Sequence, residues 1–189
     1  MSEGTAEEYA FLDRLEDTFK ESLADKLLKA LEDLERSLSG YQVSRLEHVL
    51  QSATRAYKAL ESEQMIVAAL LHDIGDDLAP YSHSEMATAI LKPFVNAEIY
   101  WVIKHHGLFQ MYYYAHHTGG DRNARDQYKD HPFYETAVRF CHEYDQNCFD
   151  PNYQAKPLSF FEPMLRRVFA KPLEDNPEQI ARYGLKENS

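Results

Sequence analysis

The 189-residue chain is poor in cysteine and has no long apolar run, and each shortage excludes a class of protein. Its two cysteines, Cys141 and Cys148, are seven residues apart, about 10 Å along one helix, which is too far for a disulfide. We therefore expect reduced thiols and a cytoplasmic protein. No stretch reaches the roughly 18 apolar residues of a membrane span, and the acidic residues 1–10 do not resemble a signal peptide.

Positive charge is also scarce. Lysine and arginine number 20 against 31 aspartates and glutamates, which gives a formal net charge of -11. Nucleic acids and anionic membrane surfaces repel such a chain, so we expect neither as a partner. The same acidity favours a bound cation.

The hydrophobic pattern is helical throughout, and no strand pattern stands out. Apolar residues recur at steps of three and four, and glycines and prolines fall between the periodic segments. The pattern predicts an all-α single domain. The expected helices cover residues 7–38, 43–60, 62–74, 83–92, 96–106, 132–146 and 159–170.

Two of these segments leave alternatives open. The stripe from Leu12 to Leu34 on the first helix could pack on the domain or on a second subunit, as in a homodimer. The apolar run from Met65 to Leu71 could be a buried strand, but its alanines and leucines favour a buried helix. Ser44, with Glu47 three residues later, and Ser62 are the expected helix caps.

Histidines and acidic residues lie on or next to the apolar faces of several predicted helices. Burying them without partners would be costly, and one bound cation would satisfy several of them together. Imidazole with carboxylate is a ligand set for iron, zinc or manganese rather than calcium. The candidate ligands are His48, His72, Asp73, His83, His106 and Asp145.

The adjacent pair His72-Asp73 has a geometric meaning. Neighbouring helical residues point about 100° apart, so both reach one metal only at a helix end that faces a shared cavity. The two oxygens of Asp73 could then bridge to a second metal. Each residue also has a structural alternative: a buried histidine often bonds a backbone carbonyl, and Asp145 could be a capping or ion-pair group.

The ordered pattern of these six residues resembles the HD-domain superfamily. The resemblance implies a helical bundle with a metal site in its core. It divides the chain into an N-terminal amphipathic helix packed on the core (1–39), an HD metal-binding domain (40–171) and a C-terminal tail (172–189).

Within the superfamily, the segments 40–51 and 68–75 resemble the mixed-valent di-iron oxygenases, which include myo-inositol oxygenase and the phosphonate-cleaving enzymes. The resemblance implies two iron ions, Fe(II) and Fe(III), with the catalytic Asp73 as their bridge. It places His48, His72 and Asp145 on one iron and His83 and His106 on the other. The reactants would be O2 and a small hydroxylated substrate. Manganese or magnesium are the alternative metals.

Two positions depart from these oxygenases. Asp76 stands where they often carry a lysine or histidine that contacts substrate, and Gln110 stands where the phosphonate-cleaving members have a lysine. Losing two cations favours a neutral or cationic hydroxylated substrate. The expected substrate contacts are Tyr41, Asp76, His105 and Gln110, with the aromatic run 109–114 as a further candidate wall.

Two other functions remain open from the sequence. A metal-dependent HD phosphohydrolase or phosphodiesterase would use the metals to activate water. Its candidate phosphate contacts are Arg45, Lys104, Arg122 and Arg125. A non-catalytic binding module with the same fold is the third reading, although a structural role would not need an open metal position.

Overall fold

The computed structural model describes residues 2–173, and within them all regular structure is helical. The predicted all-α architecture is confirmed, while residues 174–189 of the expected tail lie outside the described range. No helix in residues 2–173 is both long and apolar enough to cross a membrane. The α-helices are α1 (Ala6–Glu21), α2 (Leu23–Asp33), α3 (Arg45–Lys58), α4 (Glu63–Leu71), α5 (His83–Leu91), α6 (Ala97–Tyr114), α7 (Tyr134–Phe140) and α8 (Leu158–Val168).

Helix α4 lies at the centre of the bundle and packs against α3, α6 and α8. Every residue from Met65 to Leu71 is buried, so the choice of a helix over a strand is confirmed. Side-chain caps begin both neighbouring helices: Ser44 with Glu47 forms a capping box at α3, and Ser62 accepts from the Met65 amide at α4. These caps fix where both helices start.

The N-terminal stripe divides at Ser22, where the structure has two helices instead of the single long one predicted. Helix α2 buries Leu27 and Leu31 in the core, but α1 buries no residue. On α1, Phe19 is 68% exposed. The apolar periodicity predicted the buried face of α2 correctly, whereas its extension along α1 stays a prediction, because periodicity does not say what covers a face.

Helix α6 runs eight residues beyond its predicted end because Gly107 does not stop it. A Cβ at Gly107 would lie 3.1 Å from Oγ of Ser84, which is tighter than ordinary van der Waals contact. A helical glycine costs about 1 kcal/mol relative to alanine, but here it lets α5 approach α6 closely. The irregular segment therefore begins only after Tyr114.

The helix predicted over 132–146 changes geometry halfway. Helix α7 is followed by a π-helical turn over Cys141–Asp145, in which the Gln146 amide donates to the Cys141 carbonyl at 2.9 Å. Such turns hold one extra residue per turn and are frequent at functional sites. Asp145 therefore leaves the helix in a different direction from the one that an uninterrupted α-helix would give.

Gly75 lies against the start of α5, and a side chain there would collide with backbone. A Cβ would come within 2.9 Å of both Cα and the carbonyl oxygen of His83. We expect Gly75→Ala to lower the free energy of unfolding by about 1–3 kcal/mol, measured by urea denaturation. Leu78→Ala in the same loop is the control: Leu78 is 78% exposed, and its loss should change stability by less than about 0.5 kcal/mol. Equal stabilities of the two variants would contradict the collision.

Cys141 and Cys148 are free thiols buried in the bundle. Burial raises the pKa of Cys148 to about 12 and raises that of Cys141 well above its usual value. Because the thiolate is the reactive form, iodoacetamide at pH 8 should label the folded protein on the order of a thousandfold more slowly than the urea-unfolded chain. Labelling of either cysteine at the unfolded rate would show that this part of the bundle opens readily.

Candidate metal centre

The structure brings all six predicted ligands together in the core. Each comes from a different position in the bundle, and five of the six are buried, with His83 as the exception at 28% side-chain exposure. They are His48 on α3, His72 at the end of α4, Asp73 directly after it, His83 at the start of α5, His106 on α6 and Asp145 at the end of the π-helical turn.

The carboxylate of Asp73 lies between two groups of histidines. Its Oδ2 is 3.2 Å from Nε2 of His48 and 3.3 Å from Nε2 of His72. Its Oδ1 is 3.3 Å from Nε2 of His106 and 3.5 Å from Nε2 of His83. Each oxygen therefore serves one group, which is the arrangement a bridging carboxylate requires.

Asp145 joins the first group. Its Oδ1 lies 3.5 Å from Nε2 of His48 and 3.9 Å from Nε2 of His72. The first group thus has four inward donors, counting Asp73, while the second has three. This inequality leaves the second group as the one with room for an additional ligand.

Backbone carbonyls fix the orientation of three of the histidine rings. A carbonyl oxygen can only accept, so the bonded Nδ1 carries the ring proton and Nε2 presents a lone pair to the interior. The bonds join His48 to Cys148 at 3.0 Å, His72 to Ala69 at 2.8 Å and His106 to Ile103 at 2.6 Å.

These lone pairs face one another, and a cation between them resolves the repulsion. The Nε2 atoms of His48 and His72 are 3.2 Å apart, and those of His83 and His106 are 3.3 Å apart. Ligand atoms about 2.1 Å from one ion lie about 3 to 3.4 Å apart at octahedral or tetrahedral angles. The donors and their spacing therefore fit metal ions. Three overlapping clusters, His48-His72-Asp145, His72-Asp73-His106 and the less buried Asp73-Asp76-His83, each have ligand atoms close enough for one ion.

The electrostatics of the centre point the same way. Burial opposes a charge on His72, but the negative charge of Asp73 outweighs it and raises the pKa of His72 to about 9. Burial likewise disfavours the Asp73 carboxylate, yet the neighbouring imidazoles, with His72 contributing most, hold its pKa well below the usual value. The centre thus favours positive charge, and in the absence of a metal a proton on His72 supplies it.

A cavity of about 350 Å³ opens onto the second group. Asp73, His83, His106 and Asp145 line its inner wall, whereas His48 and His72 do not reach it. The remaining wall is formed by Tyr41, Arg45, Gly107, Gln110, Tyr114 and Phe149. A small molecule in this cavity would therefore meet the second group first.

Within residues 2–173, Arg45 is the only lysine or arginine in the cavity wall, and it holds Asp76. Its Nε lies 2.5 Å from Oδ2 of Asp76, its Nη2 bonds the same oxygen, and Nη2 also lies 3.0 Å from Oδ2 of Asp73. Asp76, expected to contact substrate, does not line the cavity. The sequence offered Arg45 only as a phosphate contact, because nothing local predicts its pairing with a residue 31 positions away.

Phe149 was missed by the sequence reasoning. Its ring stacks on His48 with centroids 4.3 Å apart and on Tyr41 with centroids 5.1 Å apart. It therefore covers the outer face of a candidate ligand and connects it to the cavity mouth. A single phenylalanine in an irregular segment gives no periodic signal that could have revealed this.

Of the other expected substrate contacts, only some lie at the cavity. Tyr41 and Gln110 line the cavity, but His105 does not. The His105 ring packs against Trp101 with centroids 4.3 Å apart, and its Nδ1 bonds the Trp101 carbonyl. The residue next to a ligand on a helix points about 100° away, so the His105-His106 doublet places only His106 at the site.

The aromatic residues of the run 109–114 likewise lie in different surroundings, and only some are near the cavity. Tyr114 lines the cavity, Phe109 is buried in the core, and Tyr112 packs under the guanidinium of Arg125 at 3.7 Å. The run therefore contributes one ring to the wall rather than a cation-binding surface.

Comparison with known proteins agrees with this centre. The family model of the HD domain matches residues 45–140, slightly more than half of the chain. The matched range contains five of the six candidate ligands, all except Asp145. Proteins with this domain are usually metal-dependent enzymes, either phosphohydrolases or oxygenases. No curated protein matches the chain. The chain belongs to the HD-domain family, and its buried histidine–aspartate cluster is a centre able to hold divalent metal.

Proposed function

We propose that the protein is a dinuclear iron oxygenase that oxidises a small hydroxylated substrate with O2. The observation that carries the proposal is the Asp73 carboxylate, whose two oxygens face two separate groups of imidazoles. The likeness of residues 40–51 and 68–75 to di-iron oxygenases supports iron as the metal.

The two groups of donors would have different roles. Apart from the shared Asp73, the first group presents only Asp145 to the cavity, while His48 and His72 lie behind it. Because this group has the larger number of protein donors, it would hold its metal more tightly. The second, with His83 and His106, opens onto the cavity and leaves positions for substrate or O2. Asp73 is shared by both and keeps the two sites at a fixed separation.

Other side chains exclude water and hold the ligands in place. Phe149 covers His48, and Tyr41 and Tyr114 flank the mouth of the cavity. The carbonyl partners of the imidazoles prevent the rings from rotating when the metals change charge. Two irons bound there would supply the one-electron chemistry for activating O2 and breaking a substrate C–H bond.

One observation favours a second candidate, an HD phosphohydrolase. Arg45 places a guanidinium in the cavity wall, where it could contact a phosphate oxygen. Lys104, Arg122 and Arg125, the other phosphate contacts expected for this function, do not line the cavity. Arg45, which is shared with Asp73 and Asp76, is therefore the one expected phosphate contact that the described cavity wall retains.

The partners follow from the same proposal. The protein would act in the cytoplasm on a small molecule and O2, with no nucleic acid or membrane partner. The second subunit that the N-terminal stripe could contact stays a prediction, with the exposed apolar side chains of α1 as its natural place.

Iron content and magnetic state test the proposal directly. Protein loaded anaerobically with iron and oxidised by one electron should contain two irons per chain. It should also give an electron paramagnetic resonance signal from an antiferromagnetically coupled Fe(II)/Fe(III) pair, because Asp73 bridges the sites. Elemental analysis and low-temperature spectra are the measurements. A protein that takes up only manganese or magnesium and hydrolyses bis(p-nitrophenyl) phosphate would instead support the phosphohydrolase.

Two alanine substitutions should separate the two groups of donors. His83→Ala removes one of only three donors of the second group, so the chain should retain about one iron and lose the coupled signal. His72→Ala removes a donor from the first group, so that group should lose its iron and the coupled signal should disappear.

His117→Ala is the matched control, since His117 is exposed and remote from the cluster. It should keep the full metal content. Circular dichroism of each metal-free variant checks that the bundle is folded. Unchanged metal content in folded His72→Ala would refute the ligand assignment.

A further inference from the structure

Arg45 lines the cavity, and one nitrogen of its guanidinium, Nη1, is uncommitted within residues 2–173. Nε and Nη2 bind the carboxylates of Asp76 and Asp73, whereas Nη1 bonds no residue in the described part of the chain. The side chain is only 11% exposed, so its position is set by packing as well as by ion pairs. A guanidinium held on one side presents its free N–H groups in a fixed direction.

The contact with Arg45 changes the role that we assign to Asp76. At the sequence level it suggested a negative wall that would attract a cationic substrate. In the structure its Oδ2 is bound by Arg45, its Oδ1 lies 3.7 Å from Nδ1 of His83, and the residue lies outside the cavity lining. Asp76 therefore positions a cation in the cavity rather than contributing an anion to it.

The opposite side of the wall is polar and neutral. The Gln110 side chain makes no hydrogen bond within residues 2–173, and its amide oxygen is buried without a partner. An uncommitted amide can donate to or accept from a ligand group. Among the described residues of the wall, which also include Tyr41 and Tyr114, Arg45 is the one charged side chain besides the metal ligands.

We propose that Arg45 binds the carboxylate of a short 2-hydroxy acid, an inference that rests on the proposed oxygenase function. Nη2 of Arg45 lies 3.0 Å from Oδ2 of Asp73, so a carboxylate bound by the neighbouring Nη1 would lie close to the metal centre. A hydroxyl group on the adjacent carbon would then face the ligands that line the same cavity. The free N–H groups of Nη1 can pair with one carboxylate, and a cavity of about 350 Å³ restricts the chain to a few carbons.

The test compares glycolate with its uncharged analogue glycolamide and with the dianion hydroxymethylphosphonate. Binding to the two-iron protein is measured by anaerobic isothermal titration calorimetry. Glycolate should bind at least about tenfold more tightly than glycolamide, because only the acid can form a charge-assisted pair with Arg45. It should also bind more tightly than the phosphonate, because the wall offers the second charge no lysine or arginine besides Arg45 within residues 2–173. Tighter binding of the phosphonate than of glycolate would overturn the proposal.

Arg45→Gln should reduce the preference for glycolate over glycolamide by about tenfold. Arg36→Gln, an exposed arginine outside the cavity, should leave the preference unchanged. If Arg45→Gln fails to load iron because Asp73 loses a partner, Arg45→Lys decides: it keeps the charge but loses the planar fork, so glycolate should remain preferred with weaker binding. A preference unaltered in a metal-loaded Arg45 variant would contradict the proposal.

The experiments distinguish failure of the oxygenase proposal from failure of the proposed carboxylate binding by Arg45. A coupled di-iron signal without a preference for glycolate would refute the role of Arg45 and leave the oxygenase standing. A preference for glycolate that depends on Arg45, in a protein with no coupled iron pair, would refute the oxygenase and leave the anion site standing.

Discussion

The concentration of lone pairs around Asp73 is the constraint on which this bundle depends. Three imidazoles are fixed by backbone carbonyls so that their unprotonated nitrogens point inward, towards one another and towards two carboxylates. No rearrangement of those rings removes the repulsion without leaving a carbonyl unpaired. Positive charge in the core is therefore a structural requirement, and α3 to α6 are arranged around the place where it belongs.

Much of this centre could be predicted from the sequence because its residues interrupt apolar helical faces. His48 and His106 lie among residues that are otherwise buried, and His72-Asp73 ends a helix with no other polar side chain in its last two turns. A buried polar group without a local partner is informative about a ligand. The helix caps at Ser44 and Ser62 could also be predicted from the sequence, because a capping interaction involves residues no more than about four apart.

The parts that escaped prediction depend on contacts distant in sequence. Arg45 and Asp76 are 31 residues apart, and Phe149 stacks on a histidine about 100 residues before it. A charge seen only in sequence has no known partner, so Asp76 suggested the wrong polarity for the wall. His105 shows the same limit in another form, because its neighbour on the helix is a ligand and it faces Trp101 instead.

At the π-helical turn Cys141–Asp145, a regular helical backbone and the ligand position of Asp145 are incompatible. Deleting one residue there would let the segment relax into an ordinary α-helix with better hydrogen bonding. The same deletion would rotate Asp145 by about 100°, away from His48 and His72. Sequence changes that make this helix more regular would therefore remove Asp145 from the first group of ligands. The irregular turn is needed for the geometry of the metal ligands, not for the stability of the helix.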